Sequence, residues 1–130
     1  MPRLRSSRLP LPEEHYEQAA LMKWASLRKA TVPELELLYA CPNGGLRGVI
    51  TGRRLKEEGV KPGIPDLCLP VARGVWHGLY IELKRRKGGS VSDNQKWWIE
   101  RLREQGYRAT VCFGFDDARQ TIEQYMAAGK

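Results

Sequence analysis

Asp66, Glu82 and Lys84 are the groups in this chain best suited to reaction chemistry. The sequence reads Gly63-Ile64-Pro65-Asp66-Leu67 and, further on, Tyr80-Ile81-Glu82-Leu83-Lys84. Glu82 and Lys84 lie two apart in a run with strand character, so their side chains leave the same face. Two carboxylates beside a lysine fill a core poorly, because each buried charge needs a partner. The same groups suit a divalent cation, a water and a phosphate. A phosphodiester resists hydrolysis because its negative charge repels hydroxide. Mg²⁺ or Mn²⁺ lowers the pKa of a bound water and stabilises the charge that grows on the phosphate oxygens. Mg²⁺ takes hard oxygen ligands and keeps several waters, so two or three carboxylates suffice. Asp66 and Glu82 are therefore candidate metal ligands, with the backbone carbonyl of Leu83 as a further one and Glu17 completing the shell from an upstream helix. Lys84 would stand over the attacking water or the scissile phosphate and offset charge in the transition state.

The elements that position these groups follow from periodicity and punctuation. Residues 1–11 form a basic arm, and residues 12–130 form one domain. A helix is predicted from Pro12 to about Lys29, with Glu13 and Glu14 in its first turn, where the dipole favours acids. Leu21, Trp24 and Leu27 make its apolar stripe, and Glu17 falls on the same stripe. Pro33 lies in a linker, and Leu35 to Cys41 reads as a strand broken by Pro42-Asn43-Gly44-Gly45. Arg47 to Glu58 reads as a basic helix ended by Gly59. Its Arg47, Arg53, Arg54 and Lys56 are candidate phosphate contacts; the alternative is an ordinary solvated face. Asp66 to Val71 and Leu79 to Lys84 are predicted strands joined as a hairpin through Gly74 and Gly78. Arg85-Arg86-Lys87-Gly88-Gly89 forms a basic turn whose Arg85, Arg86 and Lys87 could also meet nucleic acid. Ser92 reads as an N-cap with Gln95 three residues later, the pattern of a capping box. That helix, with Trp98 and Leu102 facing the core, stops at Gly106. Arg108 to Phe113 is a further strand, and Asp116 caps a last helix ending near Ala127. The order implies an α/β domain with a mixed sheet flanked by helices.

Composition narrows the partners. The chain has 130 residues, enough for one core but not for two. A formal net charge of +7 favours a polyanionic partner, most often nucleic acid. The three cysteines, Cys41, Cys68 and Cys112, show no zinc spacing and sit in apolar runs, as expected for reduced structural thiols in a cytoplasmic protein. No apolar stretch is long enough to span a bilayer, and the N-terminus lacks the apolar region of a signal peptide. His15 has no companions for a zinc cluster, and His77 reads as a turn residue. Nothing resembles a base-specific motif, so recognition of shape and backbone is expected.

Taken together these residues resemble the PD-(D/E)xK nuclease superfamily and, more closely, a stand-alone VRR-NUC domain of the phage and bacterial type. The matching segments are Glu14-His15-Tyr16-Glu17-Gln18, Pro42-Asn43-Gly44-Gly45, Gly63-Ile64-Pro65-Asp66-Leu67 and Gly78-Leu79-Tyr80-Ile81-Glu82-Leu83-Lys84, followed by Ser92, Gln95, Trp98, Leu102 and Gly106-Tyr107. The resemblance implies a restriction-endonuclease-like α-β-β-β-α-β core and a divalent-metal DNA endonuclease. In it Asp66, Glu82 and Lys84 form the central triad, assisted by a helix-one glutamate and by Gln95. Glu17 fits that glutamate because it precedes Gln18 and faces inward; Glu14, one turn earlier, is the alternative. Gln95 would serve the site in addition to, or instead of, the capping box. Stand-alone members are similar to homodimeric enzymes of DNA repair that cut branched DNA such as four-way (Holliday) junctions, encoded by bacteria, phages or prophages. In such a dimer Trp97 could lie at the interface, or simply at a helix edge. The residues also fit two other readings: a non-catalytic nucleic-acid-binding module with the same fold, and a nuclease that prefers flaps, nicked duplex or no particular structure.

Overall fold

The structure, a computed structural model, describes residues 12–42 and 49–129. The basic arm and Arg47 lie outside the described residues. Helix α1 spans Pro12–Arg28 and begins on the proline, whose fixed φ suits a first helical turn. A short 3-10 helix follows over Pro33–Leu37, then strand β1 (Tyr39–Ala40) and helix α2 (Val49–Glu57). Strands β2 (Leu67–Leu69) and β3 (Leu79–Lys84) precede helix α3 (Asp93–Glu104), strand β4 (Arg108–Phe113) and helix α4 (Phe115–Ala127).

The sheet order is β1-β2-β3-β4. The first two pairings are antiparallel and β3 pairs with β4 in parallel. The β2–β3 pair is the expected hairpin, and the β3-α3-β4 crossover supplies the parallel pair. Helices lie on both faces, as expected for this α/β class. On one face Leu67, Leu69, Leu79, Ile81, Leu83 and Cys112 pack against Leu21 and Ala25 of α1 and Ala118, Ile122 and Tyr125 of α4. Strand alternation sends Tyr80, Glu82 and Lys84 to the opposite face, where α3 packs along β4 with Ile99 buried. Among the described residues no helix is long and apolar enough to cross a membrane.

Several local expectations are corrected. Leu35 to Cys41 is not one strand: Pro33 starts a 3-10 turn that buries Leu35, and only Tyr39–Ala40 pairs with β2. Leu27 is 70% exposed, because Leu21 and Ala25 set the buried line of α1 while Trp24 packs only partly against the core. On α3 the buried residue is Ile99; Trp98 is half-buried and its Nε1 donates to the Pro62 carbonyl at 3.2 Å. Helix α4 is capped at Gly114 with no side-chain bond from that residue. Asp116 instead faces Arg119 at 3.8 Å, while Asp117 accepts from the Phe113 N–H at 2.8 Å. All three cysteines are free, Cys68 and Cys112 being buried and Cys41 half-buried.

Candidate active site

The site forms where the end of β3 meets the start of β2, and backbone pairing places its first carboxylate. Leu67 is opposite Ile81 in the antiparallel register, so continuing the ladder would put Leu83 opposite Pro65. The ladder stops at Pro65, and the Asp66 side chain takes over: its Oδ2 accepts from the Leu83 N–H at 2.8 Å. That bond fixes the Asp66 rotamer against β3. Gly63, with φ of 90°, lets this segment run against α3, since a Cβ there would lie 2.6 Å from Asn94 Cβ.

Glu82 is 2% exposed and lies beside Asp66. Its Oε2 accepts from Gln95 Nε2 at 2.9 Å and faces Lys84 Nζ at 3.4 Å. Its Oε1 is buried without a hydrogen-bond donor. The Asp66 and Glu82 carboxyls approach closely enough to share a hydrogen bond when one carries a proton. Burial, followed by the Asp66 charge, pushes the Glu82 carboxyl up to about 8 against the lowering pull of Lys84. Burial also raises the Asp66 carboxyl, although the Leu83 N–H opposes that shift. Two carboxylates are thus held together out of water with one lone-pair site unfilled.

Gln95 closes the capping box and also contacts Glu82 and Lys84. Ser92 and Gln95 form the full capping box of α3, with the Gln95 N–H on Ser92 Oγ and the Ser92 N–H on Gln95 Oε1. The same Oε1 accepts from Lys84 Nζ at 3.0 Å, and the amide nitrogen holds Glu82. The cap orients the amide, and the amide orients the acid and the base.

The two helix-one glutamates separate. Glu14 lies in the field of the site: burial and then Asp66 raise its carboxyl, opposed by Lys84, by Arg85 and by a bond from the Arg85 N–H. Both oxygens of Glu17 are engaged elsewhere. Oε1 accepts from the Phe115 N–H at 2.9 Å at the start of α4, and Oε2 from Arg86 Nε at 2.8 Å. Gly114 permits this junction, because at φ of 91° a Cβ would sit 2.3 Å from Arg86 Cγ. Glu17, expected to complete the metal shell, thus has both oxygens bonded at the α1–α4 junction. Glu14 is the helix-one acid on which the Asp66 charge acts. Periodicity missed this because both glutamates face inward; the signal lay in Glu14 being a turn nearer the end of the sheet that carries the acids.

Among the described residues no three His, Cys, Asp or Glu side chains close into a metal cage by themselves. The two central acids, the Leu83 carbonyl and retained waters are the donor set that Mg²⁺ commonly uses. The basic side chains expected to meet nucleic acid divide by position. Arg53, Arg54 and Lys56 are exposed on α2, away from β3 in sequence, while Arg86 and Lys87 are exposed on the loop that directly follows Lys84, with Arg85 half-buried there. Trp97 is 53% exposed, with the Arg101 guanidinium 5.5 Å from its ring centroid.

The model of the VRR-NUC domain family matches residues 7–116. A solved structure described as a VRR_NUC domain protein is similar at a TM-score of 0.80 and 32% identity, covering 94% of each chain. Among curated proteins none matches. The chain belongs to the VRR-NUC domain family, a family of nuclease-type domains whose substrate class is DNA.

Proposed function

We propose that the chain is a divalent-metal-dependent DNA endonuclease that acts on branched DNA, four-way junctions included, as a homodimer. The observation that carries the metal reading is Glu82 Oε1, a buried acceptor with no donor, beside the Asp66 carboxyl. Without a cation the pair must retain a proton. With a hard divalent cation both acids can ionise and the orphan acceptor gains a partner. The residues therefore fit Mg²⁺ or Mn²⁺, held by Asp66, Glu82 and the Leu83 carbonyl, with Glu14 reaching in from α1. Bound there, the cation would supply Lewis-acid stabilisation of the phosphate and a more acidic water.

The protein groups do the remaining positioning. Gln95 holds Glu82 and Lys84 in one frame. Lys84 Nζ, bonded to Gln95 and facing Glu82, would serve the attacking water or a phosphate oxygen. Arg86 and Lys87 lie on the exposed loop after Lys84 and suit the flanking DNA backbone, where contacts position rather than specify.

Two further features favour branched substrates. A net charge of +7 without a base-reading motif suits shape and backbone recognition. A two-fold dimer would present two equivalent sites to two strands of a junction, and the exposed Trp97 is a candidate interface residue. The test is cleavage of end-labelled four-way junction, flap, single-strand and linear duplex DNA with Mg²⁺ or Mn²⁺, beside Glu82→Ala. Paired symmetric nicks confined to the junction and absent in the variant support the proposal. Cleavage of every substrate alike would remove the junction preference but keep the nuclease. Metal-free binding with no cleavage of any substrate would replace it with a binding module.

A further inference from the structure

Two exposed aromatic rings lie on the sheet face that carries the acids, one at each edge of the sheet. Tyr39 belongs to β1 and Phe113 ends β4, the two outer strands. Pairing register fixes their face, because partners in a ladder point to the same side. Tyr39 pairs with Cys68, and Cys68 pairs with Tyr80, two residues before Glu82. Phe113 pairs with Lys84, two residues after Glu82. Beyond Tyr39 the Cys41 N–H bonds the Asp66 carbonyl, so β1 still runs beside Asp66. Each ring is thus one strand across and two residues along from one of the two acids. Strand spacing and rise put that step at roughly 8 Å between Cα atoms. Tyr39 lies on the Asp66 side and Phe113 on the Glu82 side, diagonally opposite across the pair.

Both rings are accessible: Tyr39 is 48% exposed and Phe113 42%. Among the described residues neither has a ring partner, whereas Tyr80 and Tyr107 on the same face meet edge to face at 5.4 Å. Single exposed apolar residues are ordinary. Two that flank a pair of buried carboxylates from opposite edges call for a ligand that spans the site. Phe113 has no polar atom in its side chain, so that ligand must present an apolar or π surface. It must also be anionic, because the exposed Arg86 and Lys87 follow Lys84, the residue that pairs with Phe113. A nucleic-acid strand with free bases has both properties. In a continuous duplex the bases are stacked on one another and show a protein only their edges. Unpaired bases instead stack on aromatic side chains whatever their sequence, which agrees with a chain that lacks a base-reading motif.

We infer that Tyr39 and Phe113 are stacking platforms for unpaired bases on the two sides of the scissile phosphate, so that the strand crossing the acids is single-stranded at the cut. This rests on the nuclease reading above and narrows its substrate to DNA with unpaired nucleotides at the cleaved bond. The rings make and break no bond. They hold and orient the strand, and they set the preference for it over continuous duplex.

The test compares the wild type with Tyr39→Ala, Tyr39→Phe, Phe113→Ala and Phe113→Leu, and with Val75→Ala as an exposed apolar control in the turn between β2 and β3. Single-turnover cleavage is measured on continuous duplex, on the same duplex with an unpaired segment at the cut, and on that segment with abasic sites beside the cut. Fluorescence of 2-aminopurine in the unpaired segment, with Ca²⁺ in place of Mg²⁺, reports stacking without cleavage. Sedimentation reports the oligomeric state. The wild type should prefer the unpaired segment and quench the 2-aminopurine. Tyr39→Ala, Phe113→Ala and Phe113→Leu should each cut that segment about 10-fold more slowly and lose quenching, while Tyr39→Phe, which keeps the ring, restores both. Abasic sites should slow the wild type to the level of the Ala variants. Val75→Ala should match the wild type throughout. Equal cleavage of duplex and unpaired DNA by the wild type would overturn the inference, as would a defect that persists undiminished on abasic DNA. A rate loss that tracks a change in oligomeric state would assign the rings to a contact between copies instead. If the wild type cuts nothing, the nuclease reading fails by itself, and the quench decides the rings: present in the wild type and lost in the Ala variants upholds stacking, and absent from the wild type overturns it.

Discussion

Gln95 Nε2 donates to Glu82 Oε2 at 2.9 Å, and this bond joins the first turn of α3 to the acid face of β3. Because Gln95 is also the N3 residue of the Ser92 capping box, fold stability and site geometry share one side chain. Gln95→Ala should cost about 1 kcal/mol of stability and lower the cleavage rate by roughly 100-fold. Ser92→Ala should cost similar stability but far less rate, since the amide keeps Glu82 and Lys84. Thermal melts and single-turnover rates on both variants separate the two contributions. Equal rate losses would mean that Gln95 acts only through the cap.

Lys84→Ala should abolish cleavage, by roughly 1,000-fold or more, and leave DNA affinity nearly unchanged. Its Nζ is occupied by Gln95 and Glu82, so it contributes little to a resting phosphate contact. Cleavage and equilibrium binding on one substrate check both halves. A variant that cuts at the wild-type rate would remove Lys84 from the mechanism.

The Glu82 carboxyl gives the metal-free protein a definite pH response. Its folded value, about 8, lies above its ordinary 4.5, so between those limits the folded chain holds a proton that the unfolded chain has lost. Metal-free stability should therefore fall as pH rises from about 4.5 to about 8 and level off above that; Asp66 shifts in the same direction. Metal binding displaces this proton, so affinity for Mg²⁺ or Mn²⁺ should tighten up to about tenfold per pH unit below 8. Glu82→Gln should flatten both trends and melt above the wild type in chelator at pH 8. Chemical denaturation and metal titrations at pH 6, 7 and 8 provide the check.

The helix-one glutamates should fail in different ways. Glu14→Gln should weaken metal affinity and slow cleavage by about 10-fold or more, with little change in melting. Glu17→Gln should destabilise the fold by about 1–2 kcal/mol through the Arg86 and Phe115 N–H bonds, with metal affinity unchanged. Calorimetric metal titration of the two variants distinguishes them, and the opposite assignment would restore Glu17 to the metal.

Much of this arrangement was legible in the sequence because it depends on short-range rules. Strand alternation alone puts Glu82 and Lys84 on one face, and Ser92 with Gln95 announces the start of α3. What escaped depends on long-range placement. Both Glu14 and Glu17 lie on the inward side of α1, and helical period cannot say which turn lies level with Asp66. Tyr39–Ala40 is only as long as the β2 segment it pairs with, so the apolar run from Leu35 gave no hint that its first part winds as a 3-10 turn. The cap of α4 comes from Glu17, 98 residues away in sequence from Phe115, where a local reading naturally chose Asp116. The unfilled valences of Glu82 and Arg85 are likewise properties of burial that no pattern of residue types reveals.

The most direct measurement is metal-dependent cleavage by the wild type and Glu82→Ala, with metal binding followed by calorimetry on the same samples. The wild type should bind Mg²⁺ or Mn²⁺ and cut DNA only when the metal is present, and the variant should lose both together. Cleavage by the wild type in chelator, or undiminished metal binding and cleavage by Glu82→Ala, would contradict the assignment of the Asp66–Glu82 pair as the metal centre.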